Sequence, residues 1–472
     1  MQKIFSRGAE LEKLSKEKFS VPPFLMMENA ASAMADLVLS KNPEKVLIFC
    51  GKGNNGGDGY ALGRLLQGKT EVMIITVEKP VSEEALVQYK MCQALGINIV
   101  ENLPENTVAD VIVDCLYGTG FHGDLQPKIR DLLEKINLMK GIKIACDIPS
   151  GLYFNADYTI TMGEQKTALY SDAAKAVCGK IIVADLGMDR NLFESQMPPD
   201  AYLLEPEDVL LPLRKNRKAH KGTYGHTAVF AGEKSGAGII AATAAMNFGS
   251  GLTTLVKTEK SNLEQFKISP ELMISEEIPA KTTCVVLGPG LGNISTADLQ
   301  KFKKWFKETK SPCAVIDADL MIWEGLPDLL EELNQVENAK IVLTPHLSEL
   351  SRFVKPFFPD CDVKTLANSS EAEIELGAKL NELYPKTAVV MKSANTFIAC
   401  QNKVYVCADG AQSLAKGGSG DVLAGMTGAL LAQGYELQQA VITAAETHAL
   451  TAEKIGKEAY NLTPEKLIAN IL

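Results

Sequence analysis

The stretch VLIFCGKGNNGGDG, residues 46–59, decides the fold of the first half of the chain. Its leading apolar run shows no polar alternation, the pattern of a strand covered on both faces. A glycine turn, Gly51-Lys-Gly-Asn-Asn-Gly56, follows the strand, and a helical pattern follows the turn. Strand, turn and helix open a parallel α/β unit. Glu78 stands where a GxGxxG dinucleotide fold carries its acidic residue, about 20 positions on. Working outward, EVMIITV (71–77), DVIVDCLYG (110–118), IKIACDIP (142–149) and IIVADLG (181–187) repeat the apolar run. Helix-like stretches at 81–95 and 125–138 lie between them, which gives a parallel sheet with crossover helices.

From Met197 to Lys221 the chain turns proline-bearing and then basic. This reads as a solvated junction between two domains, expected at 1–206 and 207–472. Beyond it HTAVFAG (226–232), CVVLGPG (284–290), PCAVIDAD (312–319), KIVLTPH (340–346) and AVVMKS (388–393) form a second strand–helix series. FIAC (397–400) and KVYVC (403–407) read as an antiparallel hairpin, and the chain from Gly420 reads as helical. The expected fold class is α/β throughout, with a Rossmann-like parallel sheet first and a second α/β domain after it.

The 472 residues are 46% hydrophobic and 22% charged, with a formal net charge of -10. That excludes a disordered chain, a collagen and a disulfide scaffold. It also argues against nucleic acid as a partner. The ten cysteines form no CxxC pair and read as buried thiols of a reducing compartment. The opening MQKIFSRGAELEKL lacks the apolar core of a signal peptide. The longest apolar stretch, Gly236 to Val256, is rich in Gly, Ala and Thr and reads as a buried helix feeding a strand, not a membrane span. A cytoplasmic protein with no membrane partner is expected.

Three glycine signals compete for chemistry. GRLLQGKT, residues 63–70, matches the P-loop pattern, but a helix precedes it and a strand follows, the reverse of what a P-loop needs. The GKGNNGGDG loop is stronger, though Asp58 puts a carboxylate where free N–H groups favour phosphate. Asp114 ends one strand ahead of Gly118 and Gly120, and Asp147 ends another ahead of Ser150 and Gly151. Ligands bind off the carboxyl ends of such strands, so Asp58, Asp114 and Asp147 are expected in one cleft. Asn55, Asp114 and Ser150 offer hard oxygens that suit an alkali or alkaline-earth cation. Asp147 is a candidate general acid/base if burial raises its pKa. The third signal, GGSGDVLAG at 417–425, opens a long apolar helix whose N–H groups form an anion hole, with Asp421 placed to take a proton from an attacking hydroxyl. On these signals alone a nicotinamide-dependent dehydrogenase, a small-alcohol kinase with a regulatory first domain, and a non-catalytic binding module all remain open.

The ordered set of motifs resembles a known family. GKGNNGGDG at 51–59, DCLYGTG at 114–120, DIPSG at 147–151 and LMMENAA at 25–31 resemble the NAD(P)H-hydrate epimerase domain. HKGTYG at 220–225, VLGPGLG at 286–292, IDAD at 316–319, TPHLSE at 344–349 and GGSGDVLAG resemble the NAD(P)H-hydrate dehydratase, itself similar to ribokinase-type sugar kinases. The resemblance implies a fused repair enzyme. Its epimerase interconverts R and S hydrates of NADH and NADPH. Its dehydratase spends ADP, with Mg2+, to phosphorylate the S hydrate, which then loses phosphate to restore the reduced cofactor, leaving AMP.

The resemblance also implies the site residues. Asn54, Asn55, Gly56, Gly57 and Asp58 would hold the hydrate in the epimerase. Gly118, Thr119, Gly120, Phe121, His122, Gly123 and Asp124 would line the same pocket, with no chemical role given to His122. Asp147 would be the acid/base, and Asn55, Asp114 and Ser150 would bind K+. In the dehydratase Asp421 would be the base and Gly420 part of the anion hole. Ala237, Gly290 and His346 would contact the hydrate, and Lys392, Ser393, Ala394, Asn395 and Thr396 the nucleotide. His226 and His448 read as structural. A homo-oligomer is implied. The chain departs from the family at IFSRGAELEKLSKEKFSVP, at Lys416 and Gly417, and at Ser393, where a glycine is usual; the last bears on nucleotide preference.

Overall fold

The computed structural model describes residues 1–121 and 123–472. His122, expected to line the first pocket, lies outside the described residues. The chain divides into two compact units, Lys3–Asp200 and Ala201–Leu472 with Met1–Gln2. The division falls ahead of the expected 206/207 boundary, because part of the segment read as a linker is a strand of the second unit.

The strands of the first half are β1 (Gln2–Phe5), β2 (Lys45–Cys50), β3 (Glu71–Thr76), β4 (Asn98–Val100), β5 (Val111–Cys115), β6 (Ile142–Cys146), β7 (Tyr158–Met162), β8 (Gln165–Lys166) and β9 (Lys180–Ala184). Seven of them form one parallel sheet in the order β4-β3-β2-β5-β6-β7-β9. Ile4 and Phe5 of β1 pair with Gln165 and Lys166 of β8. Successive strand residues point to opposite faces, and β2 is apolar throughout because both faces are covered. Val46, Ile48 and Cys50 enter one core, Leu47 and Phe49 the other. Strand β7 gave no apolar signal, since Thr159 and Thr161 interrupt it; both are fully buried.

The second unit holds β10 (Ala201–Leu203), β11 (His226–Ala231), β12 (Leu252–Lys257), β13 (Met273–Ser275), β14 (Cys284–Leu287), β15 (Cys313–Ile316), β16 (Lys340–Leu343), β17 (Thr387–Lys392), β18 (Thr396–Cys400) and β19 (Lys403–Cys407). Their order is β13-β12-β11-β14-β15-β16-β17-β18-β19-β10. Pairing is antiparallel only at β17–β18 and β18–β19, the expected hairpin. The apolar stretch from Gly236 is the helix Ser235–Asn247 followed by β12. Among the described residues no helix is long and apolar enough to cross a membrane.

Each sheet reverses its strand order once, between β2 and β5 in the first and between β11 and β14 in the second. At such points the loops leaving neighbouring strands diverge and open a crevice. The loops after β2 and β5 carry GKGNNG and LYGTG; the loop after β14 carries GPGLG. The P-loop match at 63–70 runs from the helix Asn54–Leu66 through Gly68, at φ +78°, into β3, so it cradles no phosphate.

Candidate functional site

In the first unit the glycine turn lets the helix Asn54–Leu66 start against the sheet. A Cβ at Gly56 would collide with the Gly51 carbonyl, and one at Gly57 with Met27. These two glycines, expected to hold substrate, therefore have a packing duty as well. Asn55 follows directly, with both polar atoms of its side chain sealed from solvent and without a hydrogen-bond partner. Asp114, near the end of β5, accepts hydrogen bonds from Ser150 Oγ at 2.7 Å, Ser150 N at 2.9 Å and Leu116 N at 3.1 Å. Burial outweighs these bonds and pushes its carboxyl up to about 6.

Asp147 leaves β6 with φ at +68°, a left-handed conformation uncommon for a residue with a side chain. Its N–H donates to the Ile160 carbonyl at 2.7 Å, which pins the bend. Its Oδ2 accepts from Thr119 N at 2.9 Å and Thr119 Oγ1 at 3.2 Å, and its Oδ1 lies 3.0 Å from Lys166 Nζ. The condition set for Asp147 as acid/base is a pKa raised by burial, and its surroundings act the other way. Burial alone acts to raise it, but the Lys166 charge and the Thr119 bonds outweigh that effect and hold the carboxyl below its ordinary value. Gly118 packs tightly against the site: a Cβ there would lie 2.6 Å from Asp147 Oδ2 and 3.4 Å from Asn55 Oδ1. Asn55, Asp147 and the Gly118–Thr119 turn are thus brought together, and Phe121 stacks on Tyr117 with ring centroids 4.5 Å apart. Gly123 and Asp124 are exposed at the outer end of that loop.

Asp58 is buried, and burial together with the Asp147 and Glu12 carboxylates pushes its pKa well above the usual range. That direction favours the uncharged form and eases the objection to a carboxylate at that helix start.

In the second unit Gly418, at φ +92°, caps the helix Ser419–Ala432. Asp421 lies in its first turn; burial, then the nearby Asp317, Asp319 and Glu349 carboxylates, push it up to about 7 against the pull of Lys392. Lys392 closes β17 and is tied at 2.9 Å to Asp317 Oδ1, a residue only 2% exposed. A Cβ at Gly420 would sit 3.1 Å from Lys392 Nζ, so the ammonium faces the helix N-terminus. Asn395, in the same hairpin, is buried, while Ala394 is exposed. Ala237 and Gly290 are neighbours at the strand-order reversal: a Cβ at Gly290 would lie 3.0 Å from Ala237 Cβ.

His346 caps the helix Leu347–Val354. Its Nδ1 accepts from Ser348 N at 3.2 Å and Glu349 N at 3.4 Å, and its Nε2 lies 2.9 Å from Glu349 Oε1. Capping is thus a duty of this histidine, beside the Lys392 and Asp317 charges that act on its pKa. His226 bonds Thr254 Oγ1 at 2.7 Å. His448, lowered to about 4 by burial, lies 3.1 Å from the Ser419 carbonyl and supports the glycine turn from below. Among the described residues no group of three or more His, Cys, Asp or Glu side chains could hold a metal ion.

Comparison with known proteins also finds two parts in the chain. Residues 24–168 match the model of the YjeF-related protein N-terminus, and residues 227–472 match that of NAD(P)H-hydrate dehydratase. The bifunctional NAD(P)H-hydrate repair enzyme Nnr of Helicobacter pylori is 36% identical, the alignment covering 100% of this chain and 99% of that protein. The chain belongs to the family of bifunctional NAD(P)H-hydrate repair enzymes. The Archaeoglobus fulgidus repair enzyme is 30% identical over 100% of this chain and 98% of its own. An ADP/ATP-dependent NAD(P)H-hydrate dehydratase from Bacillus subtilis, crystallised with ATP/Mg2+, is 23% identical, covers 55% of this chain and 91% of its own, and superposes with a TM-score of 0.46.

In this member of the repair-enzyme family, sequence reasoning missed four charged residues. Lys166 pairs with both Asp147 and Glu164, Asp317 anchors Lys392, and Asp319 accepts from Gly292 N at 2.8 Å. Two signals were available. MGEQK at 162–166 sets two charges just after a β-branched segment, and IDAD puts two carboxylates at a strand end.

Proposed function

We propose that the chain is a bifunctional repair enzyme of hydrated NADH and NADPH, with the epimerase in the first unit and an ADP-dependent dehydratase in the second. The observation that carries this reading is the pair of acid sites at the carboxyl ends of two sheets, one with an ionised carboxylate and one with a carboxyl that titrates near neutrality. It is supported by the full-length likeness to repair enzymes.

In the epimerase, interconversion requires the bond between the ring nitrogen and the hydroxyl-bearing carbon to break as that carbon becomes a carbonyl, its electron pair passing to the nitrogen, and then to re-form on the other face. Asp147, held ionised, takes the hydroxyl proton and returns it on closure. The orphaned Asn55 Oδ1 and the desolvated Asp114 carboxylate, with Ser150, fit a hard monovalent cation, so these residues would hold K+. When bound, K+ supplies positive charge beside the acidic cluster.

In the dehydratase, Asp421 accepts the hydrate's hydroxyl proton as that oxygen attacks the terminal phosphoryl of ADP. The N–H groups at Ser419 and Gly420 and the Lys392 ammonium meet the charge that develops on phosphorus. AMP leaves. Phosphate then departs with the C–O electron pair, the neighbouring carbon gives up its proton, and the nicotinamide double bond returns. Mg2+ would enter on the nucleotide phosphates beside Asp319, Glu349 and Asp421, and Lys392 to Thr396 would border the nucleotide. Ala237, Gly290 and His346 would contact the hydrate. Ten free thiols suit a reducing compartment, and we place the enzyme in the cytoplasm as a homo-oligomer.

The test mixes purified protein with R/S NADH hydrate, Mg2+, K+ and either ADP or ATP, and follows reduced-nicotinamide absorbance. Full recovery is expected with ADP. Asp421→Ala should abolish it, and Asp147→Ala should stall it once the S form is consumed. No recovery with either nucleotide overturns the reading.

A further inference from the structure

The proposed base has a buried support. Lys166 Nζ lies 3.0 Å from Asp147 Oδ1, 3.0 Å from Glu164 Oε1, 2.8 Å from the Met162 carbonyl and 3.2 Å from Thr161 Oγ1. Nζ donates to the Met162 carbonyl and Thr161 Oγ1 and forms ion pairs with Asp147 and Glu164, so it is a fixed positive charge. Its backbone is equally fixed, because Lys166 pairs with Phe5 in the β1–β8 ladder. The Lys166 side chain is 5% exposed and that of Glu164 0%.

Glu164 is closed in from its far side. The helix Gly8–Phe19 begins where a Cβ at Gly8 would collide with Glu164 Oε1. The charged groups that bear on Asp147 are therefore Lys166 and Glu164 from the turn after β7, Glu12 from the helix Gly8–Phe19, and Asp58 from the helix Asn54–Leu66. Burying such a cluster is a poor route to stability, since well-packed apolar side chains of the same volume do as well or better. Its geometry suits another purpose. Lys166 faces Oδ1 of Asp147, and Oδ2 is left on Thr119, on the side of Gly118 and Asn55.

We propose that Lys166 is a positioning residue of the epimerase site, anchoring Oδ1 of Asp147 so that Oδ2 faces the hydrate, with Glu164 holding Lys166 from behind. The proposal rests on the reading of Asp147 as the acid/base.

The test follows R-to-S conversion in the full-length protein without nucleotide, so that the dehydratase is silent. Dehydratase activity on S hydrate, assayed separately with ADP, serves as the fold control. Lys166→Met should lower epimerase kcat at least 100-fold with KM changed less than threefold, and Lys166→Arg should recover at least tenfold of that loss. Glu164→Gln should lower kcat by less than tenfold. A structural role alone would disturb KM together with kcat and would not favour Arg over Met; that pattern overturns the proposal. So does Lys166→Met with kcat within threefold of the parent while Asp147→Asn is inactive. If Asp147→Asn keeps its epimerase activity, the underlying reading of Asp147 falls instead. Should Lys166→Met fail to fold its unit, Lys166→Arg decides: a lowered kcat at constant KM supports the proposal, and an unchanged kcat overturns it.

Discussion

Asp147 and Asp421 are the same residue type, each beside a glycine-bearing loop at the carboxyl end of a parallel sheet, and their proton affinities are driven in opposite directions. Both are desolvated, which raises a carboxyl pKa. At Asp147 a lysine shares no more than one fully ionised partner, because burial pushes Glu164 itself up to about 7, and its charge is left to the aspartate. At Asp421 the nearby Lys392 is already committed to Asp317, and three carboxylates, Asp317, Asp319 and Glu349, act on the group. The loop places the carboxylate, and its charged neighbours choose its protonation state.

The comparison breaks most visibly if either aspartate is removed. Asp421→Asn should lower nucleotide-dependent recovery of the reduced cofactor by roughly 10²–10⁴-fold, the worth of a positioned base, and leave epimer exchange intact. Asp147→Asn should do the reverse, read by separating R and S hydrates over time. Gly118→Ala should come next, with a loss of about 10–100-fold confined to the epimerase, since one methyl is set against Asp147 Oδ2 and misplacement on that scale costs about this much. The pH profiles sharpen the contrast. Dehydratase kcat/KM should rise as pH passes through about 7, where Asp421 ionises. Epimerase kcat/KM should stay level across neutrality, because Asp147, held below the usual carboxylate range, is ionised throughout. The smallest effect is expected at His346→Ala, where loss of the cap on the helix Leu347–Val354 should lower stability of the second unit by about 1 kcal/mol in denaturant titration.

Much of this was legible before any coordinates. The strands at 46–50, 111–115 and 142–146 are written as apolar runs broken only by Asp114 and Lys143, and glycine-bearing loops follow their carboxyl ends. Asp114 with Ser150, and Asp421 at a helix start, follow from order along the chain. The sign of the Asp147 shift did not, because sequence conveys that a residue is buried but not what is buried with it. Lys166 sits in GEQKTAL, a segment with no motif, and reaches Asp147 only because β7 returns beside β6. The strand at 201–203 was hidden for a related reason: three residues at a sheet edge leave no periodicity to read.

The meeting of Gly8 with Glu164 also has an evolutionary reading. Glu164 lies more than a hundred positions from Gly8, yet a side chain at position 8 would force the Glu164 carboxylate to shift. Substitutions at the two positions should be strongly epistatic: an alanine at 8 would be harmful alone and tolerated once 164 is shortened. Among descendants of this sequence, the two sites should change together or not at all.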